Sequence, residues 1–464
     1  MDWEKPLFNL RFSLIKPLLV ITVLIVGSLA ILLAIVGSLG THRYETAQQG
    51  WEETLGGLDD LEREYPSREA NATARTLEKL SGELGGDYDL TPRYRRQERE
   101  QAPRSGPPPP RVGGYRAWHE ASDYWDRATE GRRSDPPQTL LTWADENSQT
   151  LDALVRALRS GEPARWELDL AEVYSGPIPN LLAHMNLQRL FAGLALIEQD
   201  RGRSERAAGY LDAAWQLNRA LRDEPILICQ LMSYTIDSRL AVSLRQIDVD
   251  PGRWISRLEG LDHRAGLETA IRYEGCSLLA IGDEERIAYT HLGRTFDRLL
   301  GRVGRPYVRL CTADSSDRLR RSLEQLSKLD YLCDRDLDLF EIDLSPEGAW
   351  WNAFGDNMMP SFDGTVLRLV HLELQEELTR EVLLVRQARL NGDTGAGLLG
   401  SRSAPSRVCP NDEWVLRTAE DRAGLEIAFR RELSWENEKP EDRRFAFALR
   451  HPLTPGPQTP ATTR

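Results

Sequence analysis

Residues 17–40 form an uncharged apolar run, PLLVITVLIVGSLAILLAIVGSLG, which constrains the fold of this chain more than any other feature. An α-helix rises about 1.5 Å per residue, so about 20 apolar residues cross the hydrocarbon core of a bilayer. The run therefore predicts a transmembrane helix over residues 17–40 and makes the cytoplasmic (inner) membrane the first expected partner.

The charges flanking this run predict its orientation. Lys5, Arg11 and Lys16 precede it, whereas Arg43 is the only Lys or Arg in the twenty residues that follow. Lys and Arg are enriched on the cytoplasmic side of membrane helices. We therefore expect a single-pass protein of the cell membrane, with a cytoplasmic N-terminus and an extracytoplasmic, periplasmic body.

A cleaved signal peptide is the alternative interpretation of the same residues. Ser38-Leu39-Gly40 has the small residues that precede a cleavage site. The apolar core of a secretory signal is usually about 7–15 residues long, however, and this run is longer. The length favours an uncleaved anchor, and both interpretations export the body.

Most of the remaining chain has the apolar period of helices. Residues 202–225, GRSERAAGYLDAAWQLNRALRDEP, resemble the second helix of a tetratricopeptide hairpin, with a glycine at the turn and apolar or small residues along one face. No second copy follows at a period of about 34 residues. We therefore predict a multi-helix bundle that contains one tetratricopeptide-like hairpin, and no repeat array.

The period of the apolar residues changes to two near the C-terminus. The alternating residues are Trp414 and Leu416, then Leu425, Ile427 and Phe429, then Phe445, Phe447 and Leu449. This alternation predicts three short antiparallel strands. The predicted fold class is thus mainly α, with an N-terminal transmembrane helix, a helical bundle and a small antiparallel β element near the C-terminus.

Composition divides the chain into segments. A stretch with six arginines and four consecutive prolines reads as a solvated linker, and the last residues contain too few apolar side chains to fold. The predicted segments are a cytoplasmic N-terminus (1–16), the transmembrane helix (17–40), a helical hairpin (41–90), a Pro/Arg-rich linker (91–113), a helical domain (114–392), a β-rich element (393–450) and a disordered tail (451–464).

Signatures of catalysis and cofactor binding are missing from the sequence. It has no phosphate-binding Gly-Lys-Ser/Thr loop, paired-histidine zinc helix, nucleophile elbow or Cys-x-x-Cys pair. We therefore predict no catalytic, cofactor-binding or metal-binding residues. The missing motifs argue against an enzyme. The net charge of −13 argues against nucleic acid as a partner, because phosphates repel an acidic chain.

One acidic helix segment, HLELQEELTR, combines His371 with Glu373, Glu376 and Glu377. Carboxylate-bridged metal sites in bundles use Glu-x-x-His on facing helices, and this segment has the wrong order of residues for such a site. Glu376 has Arg380 four residues later, so the sequence predicts an ordinary surface ion pair.

A second acidic segment begins like a calcium loop at Asp334, Asp336 and Asp338. Leu339 and Ser345 stand where such a loop needs its glycine and its bidentate glutamate. We interpret the segment as a solvated acidic loop.

An aromatic loop at residues 349–364, AWWNAFGDNMMPSFDG, is the best candidate for a pocket. Aromatic walls with a few polar groups are typical of ligand sites. The alternative is a buried loop that caps the following helix, with its Asn and Asp side chains bonded to the backbone. The candidate pocket residues are Trp350, Trp351, Asn352, Phe354, Asp356 and Asn357.

The chain has five cysteines. Cys229 and Cys276 lie in apolar helices and are expected to be core thiols. Cys311 and Cys333 flank one predicted helix about 30 Å long, whereas a disulfide needs Cα atoms within about 7 Å. We predict a disulfide between Cys333 and Cys409, since an exported body meets an oxidising environment.

Several blocks resemble a group of bacterial membrane-anchored helical proteins that have no assigned activity. These blocks are REYPSREANATARTLEKLSGELG, PARWELDLAEVYSGPIPNLLAHMNLQRL, the hairpin stretch with ILICQL, WWNAFGDNMMP with ELTREVL, and SRVCPNDEW. They are pieces of helix and turn. The resemblance therefore implies an architecture and carries no activity or site residue.

Taken together, these patterns lead us to expect a membrane-anchored extracytoplasmic helical protein that binds another protein or acts as a scaffold. The alternative is an envelope enzyme or ligand-binding protein with its pocket near the loop from Trp350 to Asp356. A body that serves only as a structural spacer is a third interpretation.

Overall fold

The structure is a computed structural model that describes residues 5–92, 114–132, 134–283, 294–328, 349, 351–352, 362–392, 403–409, 411–418, 425–430 and 446–449. The predicted tail (451–464) and most of the predicted linker (91–113) lie outside these residues. The same holds for Trp350, Phe354, Asp356, Asn357 and Cys333 among the predicted site residues, and for the acidic segment that begins at Asp334.

The chain is mainly α-helical, as predicted. The helices are α1 (Lys5–Thr54), α2 (Leu58–Glu64), α3 (Ala72–Leu84), α4 (Gly114–Thr129), α5 (Gln138–Glu146), α6 (Ser148–Ser160), α7 (Leu181–Asp200), α8 (Ser204–Arg222), α9 (Leu227–Gln246), α10 (Pro251–Glu259), α11 (His263–Asp283), α12 (Arg294–Lys328) and α13 (Phe362–Leu390), with a 3-10 helix at Leu170–Ser175.

The chain forms two compact units. The first consists of Met1–Glu64, Arg272–Glu324 and Ser345–Pro360, and the second of Tyr65–Ile271, Gln325–Leu344 and Ser361–Arg464. The two are described separately below.

The first unit is organised around the C-terminal part of α1. Trp51 is only 1% exposed, and its indole Nε1 donates to Ser316 Oγ on α12 at 2.6 Å. That hydroxyl in turn donates to the carbonyl of Gly275 on α11 at 2.9 Å. A Cβ atom on Gly275 would lie 2.2 Å from Cζ2 of Trp51, so only glycine allows the indole to pack this closely.

The second unit contains the predicted hairpin. It consists of α7 and α8, which are joined by the turn at residues 201–203. Phe191 and Tyr210 pack across the two helices with ring centroids 5.9 Å apart, and Gln188 Nε2 donates to the carbonyl of Ala214 at 2.7 Å. The hairpin is therefore a feature of the fold, and its tetratricopeptide character stays a prediction.

A small antiparallel sheet completes the second unit. Its strands are β1 (Ser403–Pro405), β2 (Glu413–Thr418), β3 (Leu425–Phe429) and β4 (Ala446–Leu449), in the order β1-β2-β3-β4. Ile427 pairs with Leu416 on one side and with Phe447 on the other. The three predicted strands are β2 to β4, and the sequence analysis missed β1 because three residues are too few to show an alternation.

One buried carboxylate ties the sheet to the helices. Glu377 of α13 accepts hydrogen bonds from Ser406 Oγ at 2.6 Å, from the backbone N–H of Val408 at 3.2 Å and from Trp414 Nε1 at 3.0 Å. Hydrogen bonds to a charged acceptor are about twice as strong as neutral ones. Glu377 therefore fixes the segment between β1 and β2 on α13.

Candidate functional site

The described part of the predicted aromatic loop has a structural role. The side-chain amide of Asn352 is fully buried and donates to the carbonyl of Cys311 at 3.1 Å, to Asp314 Oδ2 at 2.8 Å and to Ser315 Oγ at 3.1 Å. These three acceptors belong to α12 of the first unit. The amide that was a candidate ligand group thus attaches the loop to the preceding helix α12, whereas the alternative interpretation expected a cap on the following helix.

Trp351 behaves in a similar way. Its carbonyl oxygen accepts a hydrogen bond of 2.7 Å from the hydroxyl of Tyr307, again on α12. The other four candidate pocket residues lie outside the described part of the chain, so the complete pocket stays a prediction.

The cysteines differ in their environments. Cys229, Cys276 and Cys311 are buried thiols, and burial raises the pKa of Cys276 to about 12. A thiol with that pKa is unreactive at neutral pH. Cys409 is disulfide-bonded. The proposed partner Cys333 lies outside the described residues, so the pairing itself stays a prediction.

A cluster of ionisable side chains that sequence reasoning missed lies inside the second unit. Asp237 comes from α9, His263 begins α11 and Glu376 comes from α13, and all three are buried. One nitrogen or oxygen atom from each side chain lies within 4.8 Å of the other two. His263 Nε2 is 2.8 Å from Glu376 Oε1.

Arg222, near the end of α8, completes the cluster. Its Nη1 lies 2.7 Å from Asp237 Oδ1, and this ion pair is buried on both sides. Ser233 Oγ donates to Asp237 Oδ2 at 3.3 Å. Both oxygens of the Asp237 carboxylate therefore have a partner, as a buried charge requires.

The charges of this cluster balance one another. Burial by itself lowers the pKa of His263, but the carboxylates of Glu376 and Asp237 outweigh that effect, and the pKa is raised above its usual value. Burial also raises the pKa of Glu376, whose carboxyl bonds to His263, while Arg222 compensates Asp237. Three ligand atoms of this kind could hold a divalent cation, but His263 and Glu376 already bond to each other and Asp237 to Arg222, so we assign the cluster a role in stabilising the second unit.

The predicted surface ion pair between Glu376 and Arg380 is wrong. Glu376 is 8% exposed and bonds to His263, whereas Arg380 pairs with Glu259 and Glu381. The signal for its burial was in the sequence. Leu372, Glu376, Thr379 and Leu383 follow one another at spacings of four, three and four, which is the inner stripe of a helix.

Comparison of the chain with protein-family models, with curated proteins and with solved structures found no match.

Proposed function

We propose that this protein is a single-pass membrane protein whose helical body, outside the cytoplasmic membrane, binds another protein as a scaffold. The observation that carries the proposal is the surface of α1. It is long and apolar enough to span a membrane, and its side chains at Leu24, Ile25 and Ile31 are more than 60% exposed. A continuous apolar surface of this length is unfavourable in water and favourable in the hydrocarbon core of a bilayer.

The packing of α1 supports an anchor that stays attached. The helix continues without a break to Thr54 and buries Tyr44, Ala47 and Trp51 in the first unit. Gly40, the residue before the possible cleavage site, lies so close to Pro306 that a Cβ there would be 2.5 Å from its carbonyl oxygen. Cleavage after Gly40 would cut inside a packed helix.

The scaffold part of the proposal rests on the predominance of helices that pack in pairs, on the absence of catalytic motifs from the sequence and on the structural role of Asn352. The resemblance to membrane-anchored helical proteins is consistent with it. The excess of Lys and Arg before the apolar run supports an extracytoplasmic body.

We expect the full chain to stay in the membrane pellet after alkaline carbonate extraction, with residues 1–40 present in its intact mass. Replacing both Leu24 and Ile25 by arginine should move most of the protein to the supernatant. Each arginine at the centre of a membrane helix costs about 2.5–3.5 kcal/mol of insertion free energy. The double alanine variant at the same positions is the control and should remain in the pellet. A mature chain that begins at Thr41 would overturn the anchor.

Crosslinking of the tagged full chain in intact membranes, followed by mass spectrometry, tests the scaffold. We expect one partner at near-stoichiometric yield in the wild type and in the double alanine variant, and its loss in the double arginine variant. Recovery of self-crosslinks alone would contradict the scaffold while leaving the anchor intact. A separate experiment determines on which side of the membrane the body lies. It fuses a reporter enzyme, active only outside the cytoplasm, after Arg464.

A further inference from the structure

A cavity of about 330 Å³ in the second unit is lined by three arginines, Arg245 of α9 together with Arg386 and Arg389 of α13. Phe447 of β4 forms part of its wall. The volume is within the range of small-molecule sites in proteins, which starts at about 300 Å³.

Arg245 is a buried cation that pairs with no acidic side chain among the described residues. It is 6% exposed, and its Nη atoms donate to three neutral acceptors, the carbonyl and Oε1 of Gln375 and the hydroxyl of Thr379, at 2.6–3.0 Å. Its Nε is buried and has no hydrogen-bond partner in the described part of the chain. Burial, followed by the positive charge of Arg386, lowers the pKa of Arg245 to about 9, so the side chain stays charged at neutral pH.

Arg386 places a second positive charge beside the first. Its Nη1 donates to the carbonyls of Leu244 and Ile247 at 3.0 and 2.8 Å, and its Nη2 to the carbonyl of Arg245. These carbonyls are at the end of α9, whose dipole offsets only about half a charge. Within the described residues, no carboxylate lies at ion-pair distance from either arginine.

Arg389 follows Arg386 by one helical turn and is half-buried. No hydrogen bond or ion pair engages its side chain within the described residues. Two aspartates also line the cavity: Asp200 accepts from the hydroxyl of Tyr124, and Asp248 accepts from Gln199. Burial lowers the pKa of Arg386, and the carboxylate of Asp248 opposes that effect. With three arginines and two aspartates, the described part of the lining carries one net positive charge.

A second cavity provides a contrast. It measures about 790 Å³ and is also lined by arginines. There Arg159 pairs with Asp212, Arg203 with Glu198 and Arg206 with Asp152. Arginine content alone therefore does not leave uncompensated charge in this protein.

We propose that the 330 Å³ cavity binds a small organic anion, with its carboxylate or phosphate group between Arg245, Arg386 and Arg389 and its apolar part against Phe447. Burying a cation without a counter-charge is costly, and an oxyanion restores the balance. Guanidinium groups match the planar oxygens of carboxylates and phosphates, and such charge-assisted hydrogen bonds are strong.

The test is calorimetric titration of the full chain in a nonionic detergent at constant ionic strength. The probes are phenyl phosphate, phenylacetate and dihexanoyl phosphatidic acid. We expect saturable binding of at least one probe. If the lipid binds most tightly, the natural source of the anion is a lipid headgroup. If one of the phenyl compounds binds most tightly, the natural source is a soluble molecule.

Arg389→Gln is the decisive variant, because it removes no hydrogen bond between this side chain and the described part of the chain. It should weaken binding about 10-fold or more, the effect of one lost charge-assisted hydrogen bond. Arg219→Gln is the matched control, since Arg219 pairs with Asp223 on the surface outside the cavity and its loss should leave binding unchanged. Equal affinities of the two variants, or no saturable binding of any probe to the wild type, would overturn the proposal.

Discussion

Replacing Asp237 by asparagine is expected to lower the free energy of unfolding of the second unit by about 3–5 kcal/mol. The exposed fractions of the Arg222 and Asp237 side chains are 9% and 1%, so their ion pair is shielded from water. Asparagine keeps the size of the side chain and removes its charge. Arg222 is then left buried with an uncompensated charge, and His263 loses one of the two carboxylates that raise its pKa. Hydrogen exchange of the backbone amides in α8 and α9, followed as denaturant is added, measures the loss within the second unit.

The control for this variant is the exposed pair one residue away from Arg222. Asp223 pairs with Arg219, and both side chains are about half exposed. Asp223→Asn should change the free energy of unfolding by less than about 0.5 kcal/mol, because solvent screens the pair. If Asp237→Asn costs no more than this control, the cluster does not stabilise the fold as we infer. A double variant, Arg222→Met with Asp237→Leu, should recover much of the loss, since it leaves no unpaired charge.

The other large effect is expected in the first unit. Trp51→Ala should destabilise it by about 3–5 kcal/mol, the usual cost of removing a fully buried aromatic side chain. The indole fills the space against Gly275, and its loss also leaves Ser316 without a donor. The expected signature is faster hydrogen exchange in residues 272–283 and 304–324, with little change in α7 and α8. This regional readout is needed because the chain has two compact units and one global midpoint would mix them.

Two milder variants separate packing from hydrogen bonding at this position. Ser316→Ala removes the acceptor and keeps the indole, so it should cost about 1 kcal/mol. Trp51→Phe keeps most of the apolar area and should fall between Ser316→Ala and Trp51→Ala. If Ser316→Ala proves as damaging as Trp51→Ala, the hydrogen bonds rather than the packing would hold α1 against α11 and α12. Exchange that rises equally in both units would contradict the regional role of Trp51.

Asp237 and Trp51 each contact a residue more than ten positions away along the chain, Arg222 and Ser316 respectively. For each of them a milder or more exposed variant serves as the comparison. The Asp237 variant tests the electrostatic balance inside the second unit, and the Trp51 variant tests shape complementarity inside the first.

Local pattern was sufficient for the features that depend on neighbouring residues. The apolar run at residues 17–40 predicted an exposed membrane-length helix, the three-and-four spacing predicted the helices, and the alternation at Trp414 and Leu416 predicted strands. The sequence also predicted the turn before Ser204, because a glycine ends one helix there and the next helix starts with an amphipathic pattern. These features arise from periods of 3.6 and 2, which a few consecutive residues already display.

The partners of the polar side chains could not be predicted in the same way. Glu376 meets His263, which is 113 residues away, and Arg245 lies beside Arg386, which is 141 residues away. The sequence by itself thus determined the helices, the strands and the membrane-length segment. Only the tertiary structure decided that Glu376 is buried, that Trp51 requires Gly275, and that three arginines share one cavity. The reason is that the energy of a charge depends on which groups surround it after folding, and a local period does not contain that information.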